Sequence, residues 1–179
     1  MNIQSILNQY QIPCQNWGIG NTKTLTHLQK EVDERESSLV IEDNNLIRKV
    51  RIIWLKIYFV KVNINKRFCL IEKRQEFIDG RVRSRNQDWS LAEKLKSDEK
   101  PDQQSIARAI SEELGIDSPV TAKFLKQHFE TANSMSYPGL TTCSENYFYE
   151  VYLTNEQFKP EGYIEFQDDK TTYFVWQKI

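Results

Sequence analysis

The chain has 179 residues, 39% of them hydrophobic and 27% charged, with a formal net charge of −1. That length fits one domain with a sizeable core, and the near-zero charge excludes a global field drawing the protein to nucleic acid or an anionic membrane. Cys14, Cys69 and Cys143 are odd in number, widely spaced and without a CxxC pair, so neither a zinc cage nor a disulfide framework is expected, and a reducing, cytoplasmic setting is.

The opening residues have no basic segment followed by an apolar one, so no secretory signal is expected. Residues 1–12 place Ile3, Ile6, Leu7 and Tyr10 on one helical face, ending near Pro13. After a turn at WGIGNT, residues 23–35 repeat the pattern with Leu25, Leu28 and Val32. Residues 1–38 are therefore expected to form a helical extension packed on a domain spanning 39–179. SLVIED and NNLIRKV then read as strands separated by Asp43-Asn44-Asn45, and RIIWLKIYFVKVNI follows, rich in β-branched and aromatic residues. The apolar run 46–64 contains Arg48, Lys49, Arg51, Lys56 and Lys61. Each charge would cost roughly 2.5–3.5 kcal/mol at the centre of a bilayer, so the run is not a transmembrane helix.

Asn63 to Lys66 reads as a hairpin turn and RFCLIEKR as the returning strand. Residues 75–101 form a long polar loop with room for a short strand, a length usually tied to function or disorder. The strongest helix pattern runs from Asp102 to Leu114, started after Pro101 and stopped at Gly115. VTAKFLKQHFET fits either one strand or a mixed segment. SENYFYEVYL and TTYFVWQKI alternate as strands, and NEQFKPEGYIEF between them holds a turn and a strand end. The tally predicts an α/β (α+β) fold, open to a three-layer α/β/α sandwich.

On the central helix, Ile106, Ala107, Ile110 and Leu114 form the expected buried stripe, with Ala109, Glu112 and Glu113 on a neighbouring one and Arg108 beside Glu112. Carboxylates in a last turn face the negative end of the helix dipole. Two adjacent ones also repel each other unless a positive charge lies between, and a hard divalent cation meets that need. The plainer alternative is a solvated helix end with Glu112 paired to Arg108.

RAISEELGI (108–116) resembles the second half of the Nudix box, G-x5-E-x7-R-E-U-x-E-E-x-G-U with U a bulky aliphatic: Arg108, Ile110, Glu112, Glu113, Gly115 and Ile116 match. Upstream, Lys94, Leu95 and Glu99 fit the loop written G-K-U-x-x-G-E. SYPGL (136–140) before an aromatic-rich strand, with the leader WGIGNTKTLTHLQKEV, is similar to a SYPGL-containing Nudix-like subfamily. The resemblance covers roughly residues 17–179 and implies a Nudix-type α/β/α sandwich with a mixed sheet. The chain departs from the box at Glu93, which stands where the pattern has glycine, in one extra residue between Glu99 and Arg108, and at Ala109, where the family has a metal-holding glutamate.

The activity implied by the resemblance is hydrolysis, dependent on Mg²⁺ or Mn²⁺, of a nucleoside diphosphate linked to another moiety. It assigns metal binding to Glu112, Glu113 and Glu99, and catalysis to Glu112, Glu113 and Arg108. Gly115 is implied to end the helix in a left-handed conformation. Outside the box, Arg81, Arg83 and Arg85 alternate and suit either phosphates or a charged strand edge. Trp89 and Tyr137 suit a stacked base or the core. Glu145 and Glu150 are candidates for a base or plain strand carboxylates, and His27 and His128 have no identifiable partner. The expected partner is a nucleotide-type small molecule, not nucleic acid or membrane. The alternative function is a Nudix-fold module that binds a nucleotide or acts in regulation without cleaving.

Overall fold

The computed structural model describes residues 3–61, 66–84 and 88–179. The turn expected at 63–66 therefore lies, apart from Lys66, outside the described residues, and so does Arg85. The chain divides into two compact units, each continuous in space but not in sequence. Among the described residues, no helix is long and apolar enough to cross a membrane.

The first unit comprises Met1–Ile52, Lys94–Glu99 and Gln127–Asn146. Its helices are α1 (Ile3–Gln9) and α2 (Leu25–Asp33), followed by strand β1 (Ser37–Glu42) and the start of β2 (Asn45–Lys61). The expected helical faces bury Ile3, Leu7 and Leu28 against Trp17, Leu46, Tyr137 and Leu140. Each such aliphatic side chain contributes roughly 1.5–3 kcal/mol. The leader and the SYPGL segment thus share one core, and Trp17 Nε1 donates to the Pro138 carbonyl at 3.0 Å. Residues 1–38 belong to this unit along with the β1–β2 hairpin, which is antiparallel with Ser37 opposite Val50. His27 has a partner after all: its Nδ1 accepts from Thr24 N at 3.1 Å while Thr24 Oγ1 accepts from His27 N at 3.2 Å, a reciprocal cap on α2.

One acidic side chain organises the polar part of this unit. Glu31 on α2 is 4% exposed, yet its carboxylate accepts from Lys23 Nζ (2.7 Å), Arg48 Nη2 (2.7 Å) and Ser37 Oγ (3.0 Å) and pairs with Lys94 Nζ at 2.8 Å. Burial acts to raise its pKa, but the three cations outweigh it and hold the carboxyl well below the ordinary value of 4.5.

The second unit comprises Ile53–Glu93, Lys100–Lys126 and Tyr147–Ile179. It contains the remainder of β2, then β3 (Lys66–Phe77), β4 (Val82–Arg83), all but the last residue of β5 (Leu91–Lys94), α3 (Gln103–Leu114), the first part of β6 (Thr121–Asn133), the second part of β7 (Thr141–Leu153), β8 (Tyr163–Phe166) and β9 (Lys170–Lys178); the other parts of β6 and β7 belong to the first unit. Strand order is β6-β7-β2-β3-β9-β8, with β4 beside β3 and β5 beside β2. This is the α/β class expected from the sequence. Residues 121–133 form one strand, and the polar stretch 75–101 contains two short ones. Buried Ile53, Leu55 and Ile57 alternate along β2 with partly exposed Trp54 and Lys56, as a strand with one core-facing side requires.

Two irregularities shape the sheet of this unit. The β3–β9 register shifts between Glu72 and Arg74, so Lys73 is the extra residue of a bulge. Gly162, at φ +89°, lets the turn before β8 come close to β9; a Cβ there would lie 2.0 Å from the Phe174 carbonyl oxygen.

Replacing Glu31 by glutamine strands the buried Arg48 and removes a partner of the half-buried Lys23 and Lys94, and the expected cost is about 3–5 kcal/mol in urea unfolding at pH 7. The depressed carboxyl contributes stability that is present above its ordinary pKa and lost as pH falls below it. Between pH 5 and pH 3 the wild type should therefore lose more stability than Glu31→Gln, and parallel curves would refute the assignment.

Candidate active site

Helix α3 is well delimited. Asp102 caps its start, its Oδ1 accepting from Gln104 N (3.0 Å) and Ser105 N (3.4 Å), and Gly115 ends it at φ 65°, ψ 33°. The buried side of α3 is Ser105, Ile106, Ala109, Ile110 and Leu114. This differs from the sequence expectation at three positions: Ser105 and Ala109 are buried, and Ala107 is only half-buried. The stripe is rotated because the capping Ser105 also faces inward.

That rotation separates the paired carboxylates. Glu112 points outward and is exposed; Arg108 Nη1 donates to its Oε2 at 2.7 Å and to Glu93 Oε1 at 3.1 Å. Glu93 is thus tied to Arg108. At 56% side-chain exposure of Glu112, the Arg108 pair contributes only a few tenths of a kcal/mol, about 0.3–0.5. Glu113, one residue on, turns inward. It shares a small cavity of about 70 Å³ with Glu72, Gln75, Ser90, Glu165 and Lys170. Burial, the adjacent charge of Glu165 and a hydrogen bond to it push the Glu113 carboxyl up to about 8, with Glu93 adding to the rise and Lys170 opposing it.

The other predicted residues have partners of their own. Glu99 lies in the first unit, its Oε2 accepting from Lys96 N at 2.8 Å and its carbonyl from Arg51 Nη2 at 2.9 Å. Tyr137 is fully buried in the core of that same unit, 5.1 Å from the Trp17 ring, so the core alternative applies to it. In the second unit Arg81 Nε donates to Asp79 Oδ2 at 2.7 Å, and the Arg81 and Arg83 guanidinium carbons lie 4.8 and 6.0 Å from the Phe77 ring centre. Trp89 packs against Phe148, ring centres 4.8 Å apart. Glu145 accepts from Gln127 Nε2 at 2.5 Å, and Glu150 from Tyr152 Oη at 2.9 Å. The backbone carbonyl of His128 accepts from Asn146 Nδ2 at 3.4 Å.

Glu72, Gln75 and Glu165 were not singled out by the sequence, although the alternation Tyr163, Glu165 along β8 placed a carboxylate on an inward face. A larger cavity, about 750 Å³, lies in the first unit against Leu39, Val50, Leu95 and Phe129. Size alone does not make it the reactive centre: two of its carboxylates, Glu36 and Glu42, are matched by Lys94 and Lys49. The small cavity instead gathers acidic groups, with Glu113 and Glu165 next to each other.

That charge is the test of whether a divalent cation fits. Glu72, Glu113 and Glu165 line the small cavity with Lys170 as the opposing cation there. Among the described residues no three His, Cys, Asp or Glu side chains are gathered at metal-ligand spacing. Mg²⁺ is commonly held by one or two carboxylates with water completing its shell, so a carboxylate pair in an acidic pocket suffices and the donor chemistry fits.

No protein-family model matches the chain, and no curated protein matches it. Among solved structures, a MutT/nudix family protein from Enterococcus faecalis is similar over 99% of this chain, with a TM-score of 0.48 and 13% identity. The chain spans 56% of that protein's length.

A carboxyl raised from 4.5 to about 8 stays protonated in the folded chain at pH values where the unfolded chain has already ionised. Stability should accordingly decline as pH rises through that window. Glu113→Gln removes the ionisation, so its melting temperature relative to wild type should climb from pH 5 to pH 8 in metal-free buffer. A pH-independent difference would contradict the shared-proton geometry.

Proposed function

We propose that this protein is a Nudix-type hydrolase that cleaves the pyrophosphate bond of a nucleoside diphosphate linked to another moiety, with Mg²⁺ or Mn²⁺, in the cytoplasm. The observation that carries the reading is the arrangement on α3: Arg108 tied to Glu112, Glu113 turned toward a second carboxylate, and Gly115 closing the helix. These are the box residues that resemble the family, and they occupy distinct chemical environments.

When bound, a divalent cation neutralises charge on the phosphate oxygens and lowers the barrier to attack by water. Glu113 would hold it, because its carboxyl is the box acid facing an unmatched negative pocket. Arg108 orients Glu112 through its planar guanidinium and keeps that carboxylate at the helix rim. A carboxyl with a pKa near neutrality is suited to taking up and releasing a proton, and the Glu113–Glu165 pair is the group here with that property. Positioning and electrostatics supply most of the rate in such reactions.

One observation favours the second reading, a nucleotide-binding or regulatory module. Ala109, where the box has an acid, is fully buried, so no carboxylate is supplied from that position.

The test is turnover of a panel of nucleoside diphosphate-linked compounds with Mg²⁺ and with Mn²⁺. The expected result is metal-dependent product formation, reduced on the order of 10–100-fold or more by Glu113→Gln. A folded wild type that binds nucleotides but releases no product would establish the module instead.

A further inference from the structure

The bulge in β3 has a geometric effect. In a regular strand, residues 72 and 75 would face opposite sides of the sheet. With Lys73 inserted, Glu72 pairs with Phe174 and Gln75 with Thr172, two positions on one face of β9. The same face continues into β8, where Tyr163 lies opposite Phe174 and Glu165 opposite Thr172. Gln75, Thr172 and Glu165 therefore form a row across three adjacent strands, 3%, 1% and 9% exposed respectively.

This row is polar where a core face should be apolar. Gln75 Nε2 donates to Glu72 Oε2 at 3.4 Å, but Gln75 Oε1 and Thr172 Oγ1 are buried with no hydrogen-bond partner. A buried polar oxygen left unmatched costs about 1–3 kcal/mol, and two in one row call for a missing partner. The cavity lined by Gln75 and Glu165 also receives Glu113 from α3. Its lining thus offers two carboxyls in mutual contact, a neutral amide oxygen and the further carboxylate Glu72, against one ammonium, Lys170. A water molecule would satisfy one oxygen and leave the negative charge; a second ammonium is not among the lining residues.

We infer that Glu165 and Gln75 Oε1 join Glu113 as ligands of a hard divalent cation, so that strand β8 supplies the carboxylate that α3 lacks at Ala109. This rests on the proposed hydrolase function and adds the ligand set. Oxygen donors only, two of them carboxylates, with space for water in a cavity of about 70 Å³, suit Mg²⁺ or Mn²⁺ and do not suit a softer metal. The bulge is then the feature that makes the site, because it brings Gln75 onto the Glu165 face.

The test is direct binding of Mn²⁺ to the full chain, read by loss of the free-ion electron paramagnetic resonance signal and, in parallel, by the melting-temperature shift with Mg²⁺. Neither readout requires turnover. One ion per chain is expected, with affinity weakened at least about 10-fold by Glu165→Gln and measurably by Gln75→Leu. Both variants remove polarity from a buried face, and circular dichroism would confirm that each is folded. If Glu165→Gln and Gln75→Leu bind Mn²⁺ like wild type while Glu112→Gln does not, the ligand set is overturned and the hydrolase reading survives with the ion at the helix rim. If wild type binds no Mn²⁺, the ligand set is overturned. If Mn²⁺ binds and depends on Glu165, but no substrate is cleaved, the ligand set stands and the hydrolase reading falls.

Discussion

Two inward-facing glutamates, the buried Glu31 and the half-buried Glu113, meet the same problem with opposite outcomes. An ionised carboxylate taken out of water is costly unless positive charge or donors replace the lost hydration. Glu31 receives Lys23, Arg48, Lys94 and Ser37, drawn from separate segments of the first unit, and stays ionised. Those segments are held in one arrangement because each supplies part of what a single carboxylate requires. Glu113 receives another carboxyl instead, and its proton is retained toward neutral pH. One glutamate is a fixed structural charge; the other is a carboxyl that keeps its proton beside a second carboxyl.

Much of the fold was legible in the sequence because its signals are local. The helical faces of α1 and α2, the Asp43-Asn44 turn with its two positive-φ residues, and the Asp102 and Gly115 limits of α3 all follow from spacing and turn chemistry. Where reading from sequence fell short, the deciding contact was distant. The run 45–61, read as two strand pieces, is one strand, because β1 pairs with its first part and β3 with its last. VTAKFLKQHFET did not declare itself because β6 is exposed along nearly its whole length, which leaves no alternation of apolar and polar residues to read.

The site was legible in its helical half only. Arg108, Glu112 and Glu113 were recognisable by spacing, but the 100° between consecutive helical residues does not say which of two adjacent carboxylates faces the core. That is set by packing, with Ser105, Ala109 and Ile110 turned inward and Glu113 carried with them. Glu165 and Gln75 lie 52 and 38 residues from Glu113 in sequence and have no motif. Their proximity depends on a bulge at Lys73 and on the close approach at Gly162, and neither registers in residue spacing.

Ala109 has a physical explanation that does not require loss of function. At that position α3 is fully buried, one turn before Glu113, and the cavity that Glu113 lines already holds two further carboxylates, Glu72 and Glu165. Lys170 offers one positive charge on the lining of this pocket, so each further acid would be protonated or would depend more heavily on a cation. Alanine also has the highest intrinsic helix propensity and needs no side-chain ordering at a packed position. A chain with a carboxylate on β8 under the helix gains nothing electrostatically from a second on the helix itself. The buried Ala109 and the polar row across β3, β9 and β8 thus leave the carboxyl that meets Glu113 on the sheet, at Glu165.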